Sequence, residues 1–210
     1  MTATTKKGDW IELEFSGFIK DGALFDTTKK DEAAKAGRKT DNLEPLVLCI
    51  GKGMILKGLD DSLDGKEIGK EYEIELEPKK AYGPRNPALI RAVPLSAFQE
   101  MPVQGMWVNV DGIPARVASV TSGRALLDFN PPLAGKIVIY KIKILRAVEE
   151  LDKKIKGVVR AIGLEPVEIK VDGKKVELKI KEKLESEQSE VITQKIKEIV
   201  GPEITLEFLK

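Results

Sequence analysis

No histidine occurs anywhere in the 210 residues, which removes His-based triads, imidazole general bases and His-ligated zinc together. The single cysteine, Cys49, rules out an intrachain disulfide, and its place in the apolar run 46–50 reads as a small buried hydrophobe, not a nucleophile. Thirty-five basic side chains against thirty-four acidic ones leave a net charge of +1, so nothing pulls the whole chain toward nucleic acid or anionic lipid. No run approaches the roughly 18 apolar residues of a spanning helix, and MTATTKKGDW lacks the apolar core of a secretory signal. Gly51-Lys52-Gly53 is too short for a Walker-type phosphate loop. A cytoplasmic chain is expected, without cofactor, metal, nucleic-acid or membrane partner.

Enough apolar material remains, 42%, to build packed cores, and the length allows one large domain or two to three small ones. Residues 10–18 alternate Trp10, Glu12, Glu14 and Ser16 against Ile11, Leu13 and Phe15, and Asp21-Gly22 then supplies a turn. Residues 27–42 read as a long surface loop with one helical turn. From Leu46 the pattern strengthens. A strand gives way after Gly53 to Met54-Ile55-Leu56-Lys57-Gly58-Leu59, whose apolar residues are spaced as in a helix. Tyr72, Ile74 and Leu76 then alternate with glutamates, and 137–145 forms another period-two strand. This order brings Phe25, Asp26, Ile55, Leu56 and Tyr82 around one apolar bowl holding one carboxylate and one phenol, which suits a reaction that makes and breaks no covalent bond.

Two further regions have their own texture. Residues 85–133, rich in proline and short apolar runs, read as a small β-rich module inserted at a loop tip. After Val148 the chain starts again: Leu151, Ile155, Val158, Val159 and Ile162 lie at helical spacing, two alternating strands flank Asp172-Gly173, and a helix with Val191, Ile192, Ile196, Ile199 and Val200 stops at Gly201-Pro202. A terminal strand over 204–208 completes an α-β-β-α-β order. The lysines of this region are balanced, thirteen basic against twelve acidic residues over 151–210, so a solvated mixed-charge surface is expected in place of an RNA site. The expected division is 1–84 plus 134–148, then 85–133 inserted, then 149–210.

The motifs LFDTT at Leu24, GKGMILKGLDDSLDG at Gly51, AYGP at Ala81 and the closing strand after PPLAG resemble, in order and spacing, the FK506-binding class of peptidyl-prolyl isomerases, in particular its SlyD-like branch with long archaeal members. VPLSAF at Val93 and GMWV at Gly105 are similar to that branch's insert-in-flap chaperone module. The resemblance implies an α+β fold: an antiparallel half-barrel sheet wrapped on a short helix, with a β-rich insert and a C-terminal α-β-β-α-β domain. It places a proline pocket on Phe15, Phe25, Leu46, Ile55, Leu59 and Tyr140, and catalytic roles on Asp26, the Leu56 N–H and the Tyr82 hydroxyl. At Phe15 the family usually has a tyrosine that meets the pocket aspartate, so the partner of Asp26 is left open. Leu59 stands where single-domain members have a tryptophan floor.

Taken singly, Tyr82 reads as a turn aromatic and Asp26 as a cap or turn residue. In the insert, Leu89, Ile90, Val93, Leu95, Phe98, Met101, Val103, Met106 and Trp107 include that module's own core, with the remainder expected to bind unfolded chains. The resemblance thus implies an isomerase and folding chaperone acting on unfolded or proline-containing polypeptides, with homodimerisation through the C-terminal domain. A binding-only chaperone with little catalysis is the alternative.

Overall fold

The computed structural model describes residues 3–41, 43–181, 184–201, 203 and 205–208. Its internal contacts group the chain into two units, one of Met1–Leu76 with Ile137–Lys210 and one of Glu77–Lys136. In chain order the elements are β1 (Trp10–Ile19), β2 (Leu24–Thr27), α1 (Lys30–Lys35), β3 (Leu46–Cys49), α2 (Lys57–Ser62), β4 (Glu71–Leu76), β5 (Ile90–Pro94), β6 (Trp107–Val110), β7 (Ile113–Thr121), β8 (Arg124–Asp128), β9 (Val138–Ala147), α3 (Leu151–Ala161), β10 (Pro166–Asp172), β11 (Lys175–Ile180), α4 (Ser186–Val200) and β12 (Thr205–Phe208).

In the first unit, a sheet of order β2-β1-β9-β4 is joined by β3, which pairs with the first half of β1 while β2 pairs with its second half. All these pairings are antiparallel. The period-two pattern sets the faces: Ile11, Leu13 and Phe15 of β1 and Val138, Tyr140, Ile142 and Ile144 of β9 are buried, as are Leu59 of α2 and Leu63 at its C-terminal cap. Glutamates of β4 face solvent while Leu76 turns in.

The helix expected from Met54 begins three residues later, at Lys57. Gly53 has φ +65° and Leu56, the residue that caps the helix, is extended at φ −52° and ψ 127°, so neither continues a helix backward. Met54, Ile55 and Leu56 therefore sit in the connecting loop, with Leu59 alone of the apolar set inside α2.

The C-terminal elements follow the expected order, α3-β10-β11-α4-β12, although Pro202 and Ile204 lie outside the described residues. Their sheet has order β10-β11-β12, the last pair parallel. A capping box between Glu185 and Gln188 starts α4. The core beneath α3 and α4, built on Ile155, Val158, Val159, Val176, Leu178, Ile192 and Ile196, also takes in Cys49 of β3 and packs on Trp10 and Met54. Gly157 lets α3 lie against β3: a Cβ there would stand 2.2 Å from the Val47 carbonyl oxygen. Glu44, just before β3, receives Lys156 and Arg160 of α3, each at 2.7 Å. The C-terminal elements therefore build their core directly against β3 and the start of β1 of the first sheet.

The second unit is a four-stranded antiparallel sheet of order β5-β8-β7-β6. Ala115, Val117, Ala125 and Leu127 form its buried centre, with Val93, Leu95, Phe98, Val108 and Phe129 packed around them.

Candidate active site

Gly17 stands at the middle of the first sheet, in register with Asp26 of β2 on one side and Tyr140 of β9 on the other. Because Gly17 has no side chain, Phe25 and Tyr140 lean into the space above it; a Cβ at Gly17 would lie 2.7 Å from the Phe25 ring and 3.1 Å from the Tyr140 ring. Phe25 meets Tyr140 edge-on, with ring centroids 5.7 Å apart at 89°. Phe15 closes the group, 5.9 Å from Tyr140 and tilted by 55°. Such edge and tilted pairs add to what area burial alone contributes. The sheet thus builds an aromatic wall from Phe15, Phe25 and Tyr140.

A polar clasp holds that wall. Thr27 Oγ1 donates to the Phe15 carbonyl at 3.0 Å and lies 2.8 Å from Ser16 Oγ. The Phe15 N–H donates to Thr28 Oγ1 at 2.9 Å, and the Thr28 N–H returns to the Phe15 carbonyl at 3.0 Å. Arg38 adds a second tie, its two terminal nitrogens donating to the carbonyls of Phe25 at 2.6 Å and Leu24 at 3.1 Å. Its charge also bears on Asp26. Burial around the Asp26 carboxyl pushes its pKa above the ordinary carboxylate value, although the residue keeps an exposed surface; the Thr27 backbone N–H and the Arg38 charge act in the opposite direction without prevailing.

On the loop side, Asp60 of α2 is buried and its two oxygens accept the N–H groups of Gly51 at 2.8 Å and Gly53 at 3.0 Å. Both glycines have positive φ, +80° and +65°, a conformation that a side chain would strain. Asp60 therefore fixes the turn that carries Met54, Ile55 and Leu56 into α2. Among the described residues no acceptor is bonded to the Leu56 N–H, while the Leu56 carbonyl accepts from Leu59 and Asp60 at 2.9 Å each. Ile55 and Leu56 are half-buried, and Leu59 is buried. Met54, in the same loop, accepts the Cys49 N–H on its sulfur at 3.2 Å.

Leu46 lies elsewhere in the first unit: half-buried on β3, it lines a cavity of about 190 Å³ together with Val47, Lys156, Gly157 and Arg160. Tyr82 belongs to the second unit, after a 3₁₀ turn at Pro78–Lys80, and is 36% exposed. The expected client-binding residues divide. Val93, Leu95 and Phe98 pack on the second unit's core, Leu89 and Ile90 are half-buried, and Met101, Val103, Met106 and Trp107 are exposed, Met101 to 71%.

Gly17, Ser16, Thr27, Thr28, Arg38 and Asp60 escaped the sequence reading. A glycine interrupting a well-patterned strand and an aspartate following a Gly-x-Gly turn are local signals that could have flagged two of them. The Arg38 tie spans a loop whose path no periodicity reveals.

Comparison with known proteins defines the class. The model of the FKBP-type peptidyl-prolyl cis-trans isomerase family matches residues 2–96, and that of the FKBP26 IF domain matches residues 91–133. The short-type peptidyl-prolyl cis-trans isomerase of Methanocaldococcus jannaschii is 33% identical over 145 residues, 66% of this chain and 91% of that protein. The FKBP-type 16 kDa isomerase of Escherichia coli is 29% identical over 57% of this chain and 85% of its own length. SlyD of Pasteurella multocida is 27% identical over 50% of this chain and 56% of its own length. The chain belongs to the FKBP-type peptidyl-prolyl cis-trans isomerases and carries the IF-type insert. The reading made from LFDTT, GKGMILKGLDDSLDG and AYGP therefore holds for the family, the α+β fold and the enzyme class.

Proposed function

We propose that the wall of Phe15, Phe25 and Tyr140, with Ile55, Leu56 and Leu59, receives the proline ring of an X–Pro bond and lowers the barrier to its rotation. That barrier is about 18–20 kcal/mol because amide resonance is lost in the twisted state. The twisted amide separates less charge than the planar one, so an apolar surround favours it over the ground state. No proton transfer is required, which agrees with a chain lacking histidine. The Leu56 N–H, held by the Asp60 turn and without an internal acceptor among the described residues, is assigned to a carbonyl of the bound peptide. Asp26 and Tyr82 are assigned by the family motif to the polar edge of the same reaction.

The single observation carrying this reading is the aromatic wall of Phe15, Phe25 and Tyr140, whose rings are packed against one another over the space that Gly17 leaves. A protease-free tetrapeptide assay tests it. Asp26→Ala with Tyr82→Phe is expected to remove most isomerisation while leaving the fold intact. Full activity in that double variant would remove these assignments, and an inactive native chain would favour the binding-only alternative.

The insert is assigned the capture of unfolded chains through Met101, Val103, Met106 and Trp107, the exposed members of its apolar set. Tethered capture raises the local concentration of client at the pocket. Removal of 85–132 is then expected to slow refolding of a proline-limited protein sharply while sparing a tetrapeptide; equal loss on both substrates would refute the division. Homodimerisation is assigned to the C-terminal elements, where Val191 is 67% exposed beside Ile162, Leu164 and Leu184. Light scattering on the full chain and on Val191→Glu tests it, the variant expected to run as a monomer. One free, buried cysteine is compatible with a reducing compartment, and the cytoplasm is proposed. No helix among the described residues is long and apolar enough to cross a membrane.

A further inference from the structure

The outer face of the insert's sheet carries one row of side chains across three strands. Trp107 of β6 is in register with Arg116 of β7, which is in register with Asp128 of β8. Their neighbours Ala115, Val117 and Leu127 are buried, so the row points away from the insert's core.

Asp128 is the natural partner for Arg116, as opposite charges directly across a sheet attract. It is already engaged. Arg85 donates to Asp128 from Nε at 3.0 Å, and Asn130 donates to it from its backbone N–H at 2.9 Å and its side-chain amide at 2.7 Å. Desolvation alone would raise the Asp128 pKa, but Asn130 and Arg85 together hold it below the ordinary carboxylate value. Among the described residues no carboxylate pairs with Arg116, and no aromatic ring lies under its guanidinium. An exposed guanidinium is thus left uncommitted beside an indole that is itself 51% exposed.

The space around Arg116 is shaped. A hollow of about 410 Å³ runs from Trp107 and Arg116 past Pro131 and Pro132 to Lys136, large enough for an aromatic or branched aliphatic side chain. A second, of about 330 Å³, lies between Arg116 and Gln104. Seven basic residues against four acidic ones over 77–136 make this unit positive, while the whole chain carries only +1. Asp128 within the row disfavours a string of phosphates, and because Arg85 and Asn130 already hold it, a single carboxylate at Arg116 meets less repulsion than a polyanion would.

We infer that this row is a client-selecting subsite: it binds polypeptide segments in which an aspartate or glutamate follows or precedes a large apolar side chain. The apolar group covers Trp107 and the carboxylate pairs with Arg116, whose planar fork matches a carboxylate through two parallel hydrogen bonds. The inference rests on the reading that the insert captures client chains, and adds to it a preference for acidic apolar segments.

Fluorescence anisotropy with the full-length chain tests it, using labelled peptides of identical Phe and Leu content that carry Glu, Gln or Lys beside the apolar residues. The Glu peptide is expected to bind about fivefold to tenfold tighter than the Gln peptide at low salt, an advantage that shrinks as ionic strength rises, and the Lys peptide weakest. Arg116→Gln should abolish the difference between Glu and Gln while leaving Gln-peptide affinity unchanged, and Trp107→Ala should weaken all three. Equal binding of Glu and Gln peptides by the native chain, or equal weakening of both by Arg116→Gln, overturns this inference and leaves client capture standing. Failure of every peptide to bind overturns client capture and the inference with it. A single-stranded RNA oligomer that displaces the Glu peptide at equal concentration overturns it in favour of a polyanion site.

Discussion

Two regions have been added to the isomerase sheet, and they are held in opposite ways. The insert closes its own small core around Ala115, Val117, Ala125 and Leu127. The C-terminal elements do not: their core borrows Cys49, Trp10 and Met54, and α3 rests on β3 at a glycine. A region with a private core can be gained or lost with little cost to its host. A region that shares one becomes part of the host's stability, and here it also reaches the loop of Met54, Ile55 and Leu56. The insert is thus free to vary in sequence around its own core, while the C-terminal elements buttress the loop of Met54, Ile55 and Leu56.

Each chain unit contains one tryptophan, Trp10 in the first and Trp107 in the second, so single-tryptophan variants report the two separately. The largest effect is expected from Gly157→Val. Its side chain would collide with the Val47 backbone, which cannot swing aside as a side chain could. A loss of about 3 kcal/mol or more is expected in the transition followed by Trp10. An unchanged Trp10 midpoint would mean that the C-terminal elements fold apart from the sheet.

Leu127→Ala is the matching variant in the insert. It opens a cavity in a core with few members, at about 3 kcal/mol. Denaturant unfolding followed by Trp107 should shift, whereas tetrapeptide isomerisation should keep its native rate. A parallel shift of the Trp10 signal would erase the contrast between the regions.

Next comes Asp60→Ala, which leaves the N–H groups of Gly51 and Gly53 without their acceptor at a cost of about 2 kcal/mol. Because the turn sets Leu56, tetrapeptide isomerisation should fall about tenfold at a temperature where far-ultraviolet dichroism remains native. Retained activity would show that the pocket tolerates a loose loop.

Glu44→Gln should give the smallest effect, under about 1 kcal/mol, since Glu44 is half-exposed and solvent screens both of its ion pairs. Lys156 first, then Arg160, lower the Glu44 pKa from 4.5. A carboxylate with a depressed folded-state pKa stabilises fully above its unfolded value and ceases to do so as the pH falls through the folded value. The native chain and Glu44→Gln should therefore differ above pH 4.5 and converge in more acid solution. A difference that persists in acid would assign the effect to packing.

Much was legible in the sequence because alternation and helical spacing are local. Ile11, Leu13 and Phe15 alternate in the sequence and are buried together in β1; Leu151 to Ile162 marked α3 to within a residue. The boundary at Met54 failed because apolar spacing of 3.6 over six residues is also what a loop with Ile55 and Leu56 presents, and the positive φ of Gly53, the extended Leu56 and the Asp60 bonds to Gly51 and Gly53 together keep this stretch out of the helix. Cys49 was read correctly as a buried hydrophobe, yet the core that buries it belongs to a helix more than 100 residues further on.

By itself, then, the sequence determined the strands and helices, the family and the exclusion of imidazole chemistry, since each depends on residue type and short spacing. Tertiary structure decided the rest. It filled the space that Gly17 leaves with the rings of Phe25 and Tyr140, bound the C-terminal elements to the sheet through Gly157 and Cys49, and left Arg116 without a carboxylate partner among the described residues by giving Asp128 to Arg85 and Asn130. Each is a competition among groups distant in the chain, settled by which of them the fold places within a few ångströms of one another.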